Sequence, residues 1–281
     1  MASFEIKDEV LTGFKGKVAV VTGGSSGIGL ATVELLGSLG ASVVNGDVQA
    51  PKTPGDVTFV QADVRSWTDL VKLFKTAKDK HGRVDYVFVN AGIGPRANYL
   101  ELEVDENGDP KAPNSDTVDI NLDSVINTTT VAAHYLKGQP EGGSIVLMGS
   151  STGLHPVRAV DYSTAKAGVL GFGRGFAKIV EVAGLPIRVN TLIPSWTDSQ
   201  VLPDLKNILA AVSQGCQPAS VVARAVAYLF VEKSRHGDVI FICDGKYTEV
   251  EKTILAPAYD TIRGEHPTDD EVLARVFALG G

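Results

Sequence analysis

The segment YSTAK places Tyr162 four residues before Lys166. Within a helix, side chains at positions i and i+4 lie on the same face, and an ammonium group beside a phenol favours the ionised phenolate. A free tyrosine has a pKa of about 10, so a neighbouring cation makes it a usable proton acceptor near neutral pH. The pair alone is a weak indication, because a helix surface carries such pairs by chance.

Two polar residues could act with this pair. Ser150 ends the apolar segment SIVLMGS, with Ser151 as the alternate, and a hydroxyl at a strand end can hydrogen-bond a substrate oxygen on which charge develops. Asn121 lies within the helix-like DINLDS although asparagine has poor helix propensity. The structural alternatives are a turn or cap hydrogen bond for the serine and a surface or locally capped position for the asparagine.

The segment TGGSSGIG lies where an apolar strand ends and a helix begins. Its glycines follow a spacing related to the dinucleotide-binding fingerprint. Such a turn brings backbone N–H groups and a helix N-terminus to one place, where they can face a pyrophosphate. The alternative is that the glycines only form the turn between the strand and the helix and bind no ligand. The predicted cofactor residues of the turn are Gly23, Ser25, Ser26, Gly27, Ile28 and Gly29.

Asp47 ends the next strand, 18 residues after Gly29. An acidic group near this offset can accept hydrogen bonds from both adenosine ribose hydroxyls, and its charge repels a 2′-phosphate. No basic side chain lies nearby in the glycine turn or directly after Asp47, so the sequence favours NAD over NADP. The alternative is a solvated acid at a strand end.

Two later strand ends complete the predicted cofactor site. Asp63 and Val64 follow the third strand and are expected beside the adenine. The segment Asn90-Ala91-Gly92 follows the fourth strand and is expected to let the cofactor pass close to the backbone.

Seven apolar, β-rich segments alternate with longer amphipathic ones. Several of the seven are continuously hydrophobic, which is typical of parallel strands covered on both faces. The pattern predicts an α/β fold: a single-domain Rossmann-type doubly wound sheet of about seven parallel strands with helices on both faces. The predicted strands are 18–23, 42–47, 57–63, 84–92, 144–150, 187–194 and 238–245, and the predicted helices are 29–40, 66–82, 115–138, 160–184 and 218–233.

Composition narrows the class of protein. The 281 residues are 44% hydrophobic and 21% charged with a formal net charge of −7, which is typical of an ordinary globular protein and disfavours nucleic acid and membrane partners.

Cys216 and Cys243 form no CxxC motif and are expected to be thiols. With no apolar leader, the expected location is cytoplasmic. The five histidines lack ligand spacing, so no metal is expected.

The domain organisation is predicted as one dinucleotide-binding and catalytic domain over 14–246. Residues 1–13 are expected to be an N-terminal extension and 247–281 a C-terminal tail that packs on the domain or on a partner subunit. Segments 93–114 and 195–217 follow strand carboxyl ends, where open α/β sheets bind ligands.

Taken in order, these motifs resemble the short-chain dehydrogenase/reductase family over about residues 14–246. The resemblance implies a nicotinamide cofactor, Tyr162 as acid/base, Lys166 on the nicotinamide ribose, Ser150 on the substrate oxygen and Asn121 supporting a water for proton relay. It also implies cofactor contacts at Pro194 and at Thr197, whose hydroxyl would bond the nicotinamide carboxamide. The chain departs from the family pattern at Pro194-Ser195, where Pro-Gly is usual, and at Asp244-Gly245-Lys246, where Asp-Gly-Gly is common.

The chain looks most similar to the NAD-dependent branch with hydroxyprostaglandin dehydrogenases and fungal secondary-metabolite dehydrogenases. The predicted function is therefore NAD-dependent interconversion of a bulky, apolar secondary alcohol and its ketone, with residues 93–114, 152–160 and 195–217 lining the substrate pocket. The alternatives are a dinucleotide-binding redox sensor or scaffold without turnover, and an NADPH-dependent ketone reductase. The resemblance further implies a homodimer or homotetramer built on the helices that carry Asn121 and Tyr162.

Overall fold

Nine strands form one sheet in the computed structural model, which describes residues 2–52, 57–155, 157–199, 201 and 204–279. In chain order the strands are β1 (Ala2–Phe4), β2 (Val18–Thr22), β3 (Ser42–Asp47), β4 (Thr58–Gln61), β5 (Tyr86–Val89), β6 (Gly143–Met148), β7 (Ile187–Pro194), β8 (Val239–Cys243) and β9 (Lys246–Glu249). Their order across the sheet is β1-β9-β8-β7-β6-β5-β2-β3-β4. Strands β2 to β8 are parallel and correspond to the seven predicted strands, so the predicted fold class is confirmed.

Two antiparallel strands that the sequence pattern did not predict extend one edge of the sheet. Strand β9 turns back on β8, and β1 pairs with β9 from Ala2 opposite Glu249 to Phe4 opposite Tyr247. The sheet therefore includes residues from both the expected N-terminal extension and the expected tail. The division of the chain at residues 13 and 247 stays a prediction.

The five predicted helices are present, each ending within two residues of its predicted bounds. The helices are α1 (Gly27–Ser38), α2 (Trp67–His81), α3 (Asp116–Val118), α4 (Ser124–Lys137), α5 (Val160–Val182), α6 (Leu205–Ala211), α7 (Ala219–Val231), α8 (Ala256–Arg263) and α9 (Asp269–Ala278). A π turn, Asp119–Asp123, joins α3 to α4 and interrupts the predicted helix 115–138. Within the described ranges, no helix has the length and apolar character to cross a membrane.

The hydrophobic core lies on both faces of the sheet. On one face α2, α4 and α5 bury side chains such as Phe74, Leu136 and Val169 against the strands. On the other face α1 and α7 bury Leu36 and Phe230. Because the central strands are covered on both sides, successive residues along them are apolar, which explains the continuous hydrophobic segments of the sequence.

The strand order reverses between β2 and β5. From β2 the chain moves outward through β3 to β4, and it then returns to place β5 on the opposite side of β2. The loops that follow β2 and β5 therefore diverge and leave a crevice at the carboxyl ends of these strands, where open α/β sheets bind ligands.

Candidate active site

The glycine turn after β2 brings the backbone into contact with the loop after β5. Gly23 and Gly27 have φ of +67° and +51°, a region that favours glycine. A Cβ atom on Gly23 would lie 2.8 Å from Ala91 Cα, and one on Gly29 would lie 2.0 Å from the Gly23 carbonyl oxygen. These positions therefore have no room for a side chain.

Helix α1 begins directly at this turn. Ser26 is its N-cap but makes no capping hydrogen bond with its side chain, and the first turn of the helix carries no acidic residue. Ile28 packs partly buried against the core. The backbone N–H groups of the first turn are therefore suited to bind an anion such as a pyrophosphate.

Asn45 braces the turn from strand β3, and the sequence analysis missed it. This buried side chain accepts a hydrogen bond from Gly24 N and donates one to Ser25 Oγ, both at 3.0 Å. A polar residue inside an apolar strand was the available signal, because a buried amide needs hydrogen-bond partners.

Asp47 lies beside the turn, as predicted from its position in the sequence. Its Oδ2 accepts a hydrogen bond from Ser25 N at 3.0 Å and its Oδ1 accepts one from Gln49 N at 3.1 Å. Within the described ranges no lysine or arginine forms an ion pair with it. Because a carboxylate oxygen has two acceptor sites, Asp47 keeps acceptor capacity for ligand hydroxyls.

Asp63 lies after β4 but is already paired. Arg65 donates to its carboxylate, with Nη2 2.7 Å from Oδ2, and this hydrogen bond holds the pKa of Asp63 below its ordinary value. Val64 beside it is buried. The expected contact of Asp63 with adenine therefore requires that the carboxylate be shared with Arg65 or released from it.

Asn90, Ala91 and Gly92 are tied to the glycine turn. The side-chain amide of Asn90 donates to the carbonyl oxygens of Thr22 and Gly23, at 3.0 and 3.1 Å. Its backbone N–H donates to Thr22 Oγ1 at 3.0 Å. The strand ends of β2 and β5 are thus held together at the crevice.

Lys166 and Tyr162 lie on one face of α5, with Lys166 Nζ 5.7 Å from the centre of the Tyr162 ring. Lys166 is buried and donates to the carbonyl oxygen of Met148 at 2.8 Å. Burial lowers the pKa of Lys166 to about 8. An ammonium group buried at this strand end is thus easier to deprotonate than a free lysine.

Ser150 follows β6 and lies close enough to Tyr162 for its hydroxyl to lower the pKa of the phenol. Burial raises the pKa of Tyr162, and this effect outweighs the lowering by Ser150. The pKa of Tyr162 is therefore raised overall, whereas Lys166 alone would lower it, because removal of the phenol from water disfavours its charged form. The contact with Tyr162 supports Ser150, rather than Ser151, as the serine that acts with it.

Asn121 lies in the π turn and is fully buried. Its Oδ1 accepts from the backbone N–H of Ile93 and its Nδ2 donates to the carbonyl oxygen of Ile93, both at 2.8 Å. The side chain therefore fixes the start of the 93–114 loop. π turns inside helices are frequent at functional sites, and here the turn replaces the regular helix that the sequence predicted.

Pro194 ends β7, and Thr197 follows it at the carboxyl edge of the sheet. Thr197 Oγ1 donates to the Ser195 carbonyl oxygen at 2.8 Å and accepts from Gln217 Nε2 at 3.0 Å. Gln217 is buried and also donates to the Ile242 carbonyl oxygen. It thereby joins both ends of the 195–217 segment, and no local sequence signal marked it.

Asp161 is a second buried group that the sequence analysis missed. It is 2% exposed and accepts hydrogen bonds from Arg96 N at 2.7 Å, Ala97 N at 3.0 Å and Tyr162 N at 2.8 Å. Burial raises the pKa of Asp161, but the hydrogen bonds from Arg96 and Ala97 and its other partners lower it overall. The carboxylate therefore connects the 93–114 loop to the first turn of α5.

We expect Asp161→Asn to lower the free energy of unfolding at pH 7 by about 2–3 kcal/mol, because one oxygen that accepts backbone N–H groups becomes a donor. A carboxylate with a lowered folded pKa stabilises the fold above its unfolded pKa of about 3.9, and this stabilisation disappears as the pH falls through the folded pKa. Urea denaturation at pH 7 and pH 2 measures the difference, which should be smaller at pH 2. Asp123→Asn changes an exposed carboxylate in the same way, so it is the control and should be neutral. Equal effects of the two variants would contradict the assignment.

No three His, Cys, Asp or Glu side chains converge to hold a metal ion within the residues that the structure describes. Cys216 and Cys243 are free and half-buried.

The sheet order, the glycine turn at the switch point and the polar strand ends define a dinucleotide-binding α/β protein. Residues 17–209 match the family model described as short chain dehydrogenase. The chain is 44% identical to the short-chain dehydrogenase/reductase ascJ of Acremonium egyptiacum, over all of this chain and 97% of that protein. The chain therefore belongs to the short-chain dehydrogenase/reductase family of oxidoreductases, which bind a nicotinamide dinucleotide, and the predicted family is confirmed.

Two further comparisons agree with this assignment. The 15-hydroxyprostaglandin dehydrogenase [NAD(+)] of Homo sapiens is 32% identical, over 68% of this chain and 72% of that one. The crystal structure of 3-hydroxyacyl-CoA dehydrogenase type-2 from Mycobacterium avium superimposes with a TM-score of 0.68 at 27% identity, over 81% of this chain and 94% of that one.

Proposed function

We propose that this protein is an NAD-dependent oxidoreductase that interconverts a secondary alcohol and a ketone, with Tyr162 as the acid/base. The observation that carries the proposal is the contact between Tyr162 and Ser150 next to the buried ammonium of Lys166, at the carboxyl edge of the sheet. A protein that only binds a dinucleotide has no need for a phenol, a hydroxyl and an ammonium arranged in this way.

The residues of the crevice fit a nicotinamide dinucleotide. The cradle formed by Gly23 and Gly29 has no space for a Cβ atom, and the uncapped start of α1 is suited to a pyrophosphate. Asp47 lies at the side of the same turn, where its free acceptor sites suit ribose hydroxyls. Thr197 has one remaining acceptor site for a carboxamide.

When bound, the nicotinamide ring supplies the acceptor or donor of the hydride. During oxidation Tyr162 takes the proton from the alcohol hydroxyl, and Ser150 holds the substrate oxygen. The ammonium of Lys166 favours the phenolate against the effect of burial and holds the ribose hydroxyls. Asn121 fixes the loop beside the crevice and supports a water through which the proton leaves Tyr162.

The substrate that we propose is bulky and apolar. Segment 93–114 exposes Tyr99, Leu100, Leu102 and Val104, and Leu100 is 95% exposed. Segment 195–217 exposes Trp196 and Ile208. A relative named 15-hydroxyprostaglandin dehydrogenase [NAD(+)] also supports an alcohol as the substrate. The free thiols Cys216 and Cys243 support the cytosol as the location, since they suit a reducing compartment.

Absorbance of the reduced nicotinamide tests the proposal directly. Purified protein is mixed with NAD and a panel of cyclic, aromatic and long-chain secondary alcohols, and the reverse reaction is measured with the matching ketones. We expect turnover with at least one bulky alcohol. Binding of NADH without turnover of any alcohol or ketone would favour a sensor or scaffold instead.

We expect Asp47→Asn to reduce the preference for NAD over NADP by about tenfold or more. The change removes the charge that repels a 2′-phosphate but keeps one acceptor oxygen, and tenfold corresponds to about 1.4 kcal/mol. The ratio of kcat/KM for the two cofactors measures it. Asp79→Asn, an exposed carboxylate in α2, makes the same change in net charge and should leave the ratio unchanged. A wild-type protein that prefers NADP would overturn the assignment of Asp47.

We also propose self-association through the helices that carry Asn121 and Tyr162. On α5, the apolar side chains of Ile179 and Val182 are 61% and 73% exposed. Exposed apolar side chains concentrated on one face are typical of protein interfaces.

A further inference from the structure

Residues 93–97, which we call the strap, are held by buried side chains from three other elements. At the start of the strap, Asn121 of the π turn accepts from the backbone N–H of Ile93 and donates to its carbonyl oxygen. Thr117 of α3 donates to the carbonyl oxygen of Gly94 at 3.3 Å. Asn121 and Thr117 are both fully buried. The start of the strap is therefore fixed relative to α3 and the π turn.

Asp161 of α5 holds the other end of the strap. Its Oδ2 accepts from Arg96 N at 2.7 Å and from Ala97 N at 3.0 Å, and its Oδ1 accepts from Tyr162 N at 2.8 Å. The carboxylate is buried, and an ionised group away from water must be well hydrogen-bonded. One planar carboxylate thus sets the spacing between the strap and the first turn of α5.

The helix itself does not need the two bonds to the strap. An acidic residue in the first turn of a helix is stabilised by the N–H groups of that helix, and Asp161 already accepts from Tyr162 N. The bonds from Arg96 and Ala97 span 65 and 64 positions in the sequence. Because both donors are backbone N–H groups, the contact fixes the path of the chain whatever side chains these residues carry.

The strap leads directly into an apolar part of the proposed substrate site. Residues 98–113, which we call the arm, follow it and fold back on themselves, with Val104 and Pro110 paired in an antiparallel bridge. Leu100 and Leu102 of the arm are 95% and 42% exposed. The place of these apolar side chains relative to the proposed acid/base is therefore set through the strap.

We propose that Asp161 is a positioning residue for the substrate, which holds the strap, and through it the apolar arm, at a fixed distance from Tyr162. The inference rests on the proposed function, both for the reaction and for the bulky apolar substrate. Asp161 acts through Arg96 and Ala97 and does not touch the reacting atoms. Its loss should therefore weaken binding of the bulky part of the substrate and leave the chemical step and the dinucleotide crevice intact.

Asp161→Ala, which removes all three acceptor contacts, tests the role by separating KM from kcat. For the largest alcohol of the panel that turns over, we expect KM to rise by at least about tenfold while kcat stays within about threefold. For the smallest such alcohol, both values should stay within about threefold, and so should the dissociation constant of NADH. A merely structural role would instead lower kcat for both alcohols by the same factor, because part of the protein would be inactive.

Trypsin measures the hold on the strap without any turnover, because it cleaves after Arg96 at the strap and after Lys111 in the arm. Cleavage within a folded segment requires local opening of that segment. We expect cleavage after Arg96 to be at least about tenfold faster in Asp161→Ala than in the wild type, since opening is no longer opposed by the carboxylate. Cleavage after Lys111 should be unchanged, and thermal unfolding should show the variant to be folded.

Two further variants complete the experiment. Asp123→Ala removes an exposed carboxylate and is the matched control, which should leave KM and both cleavage rates unchanged. Thr117→Val keeps the shape of the side chain but removes the bond to Gly94, so it loosens the strap more gently. We expect it to raise KM for the largest alcohol by about threefold even if Asp161→Ala proves too unstable to assay.

The outcomes separate this role from the proposed reaction. In an active protein, a wild-type KM for the largest alcohol in both Asp161→Ala and Thr117→Val would overturn the role of Asp161 alone. A wild-type rate of cleavage after Arg96 in a folded Asp161→Ala would do the same. A wild-type protein that turns over no alcohol or ketone would overturn the proposed reaction, and the role of Asp161 in it, whatever the cleavage rates.

Discussion

We expect the Tyr162→Phe variant to lose turnover by about 10³-fold while it keeps its affinity for NADH within about threefold. The substitution removes only the phenolic hydroxyl, and the ring can keep its place beside Lys166. Ser150 loses its contact with the phenolic hydroxyl but still accepts from Thr152 N and Thr152 Oγ1. The crevice that holds the dinucleotide should therefore be intact, and the proton acceptor should be missing.

Initial rates with the best alcohol of the panel and a fluorescence titration with NADH measure the two effects separately. Tyr259→Phe is the matched control, since this exposed phenol of α8 donates a hydrogen bond to Asp269 and lies outside the site. It should behave as the wild type in both measurements. If Tyr162→Phe kept more than a tenth of the wild-type turnover, Tyr162 would not be the acid/base.

The sequence predicted the parallel sheet and its flanking helices because both have strong local patterns. Buried parallel strands are continuously apolar, and helix ends are marked by residues such as Ser66, which caps α2. Strands β1 and β9 are three and four residues long, and their segments ASF and KYTE carry no such pattern. Their pairing is decided by the free edge of β8, which is a property of the assembled sheet.

The sequence predicted which residues form the candidate site from their types and spacing. It did not predict the contacts that hold these residues in place. Asp161 reaches the backbone of Arg96 across 65 positions, and Gln217 reaches Ile242 across 25. Such contacts depend on how loops meet after folding, and a single sequence does not encode them in a local motif. The direction of the Tyr162 pKa was missed for the same reason, because burial of the phenol depends on the surrounding fold.

A second large effect is expected from a substitution in the glycine turn, at Gly29. In Gly29→Ala the new Cβ atom would lie 2.0 Å from the Gly23 carbonyl oxygen and 2.7 Å from Asn90 Nδ2. Neither is the far end of a flexible side chain, because Asn90 is itself held by Thr22 and Gly23. The turn must therefore shift, and with it the N–H groups at the start of α1.

We expect Gly29→Ala to weaken NADH binding by about 100-fold, equivalent to about 2.7 kcal/mol, and to lower the free energy of unfolding by roughly 3 kcal/mol. The matched control is Gly37→Ala in the same helix, where a Cβ atom would meet nothing within 4 Å. This control should bind NADH as the wild type does and gain about 0.5–1 kcal/mol of stability, because alanine is the better helix former. NADH fluorescence and urea denaturation of the two variants measure both effects. Similar NADH affinities in the two variants would show that the turn does not hold the dinucleotide.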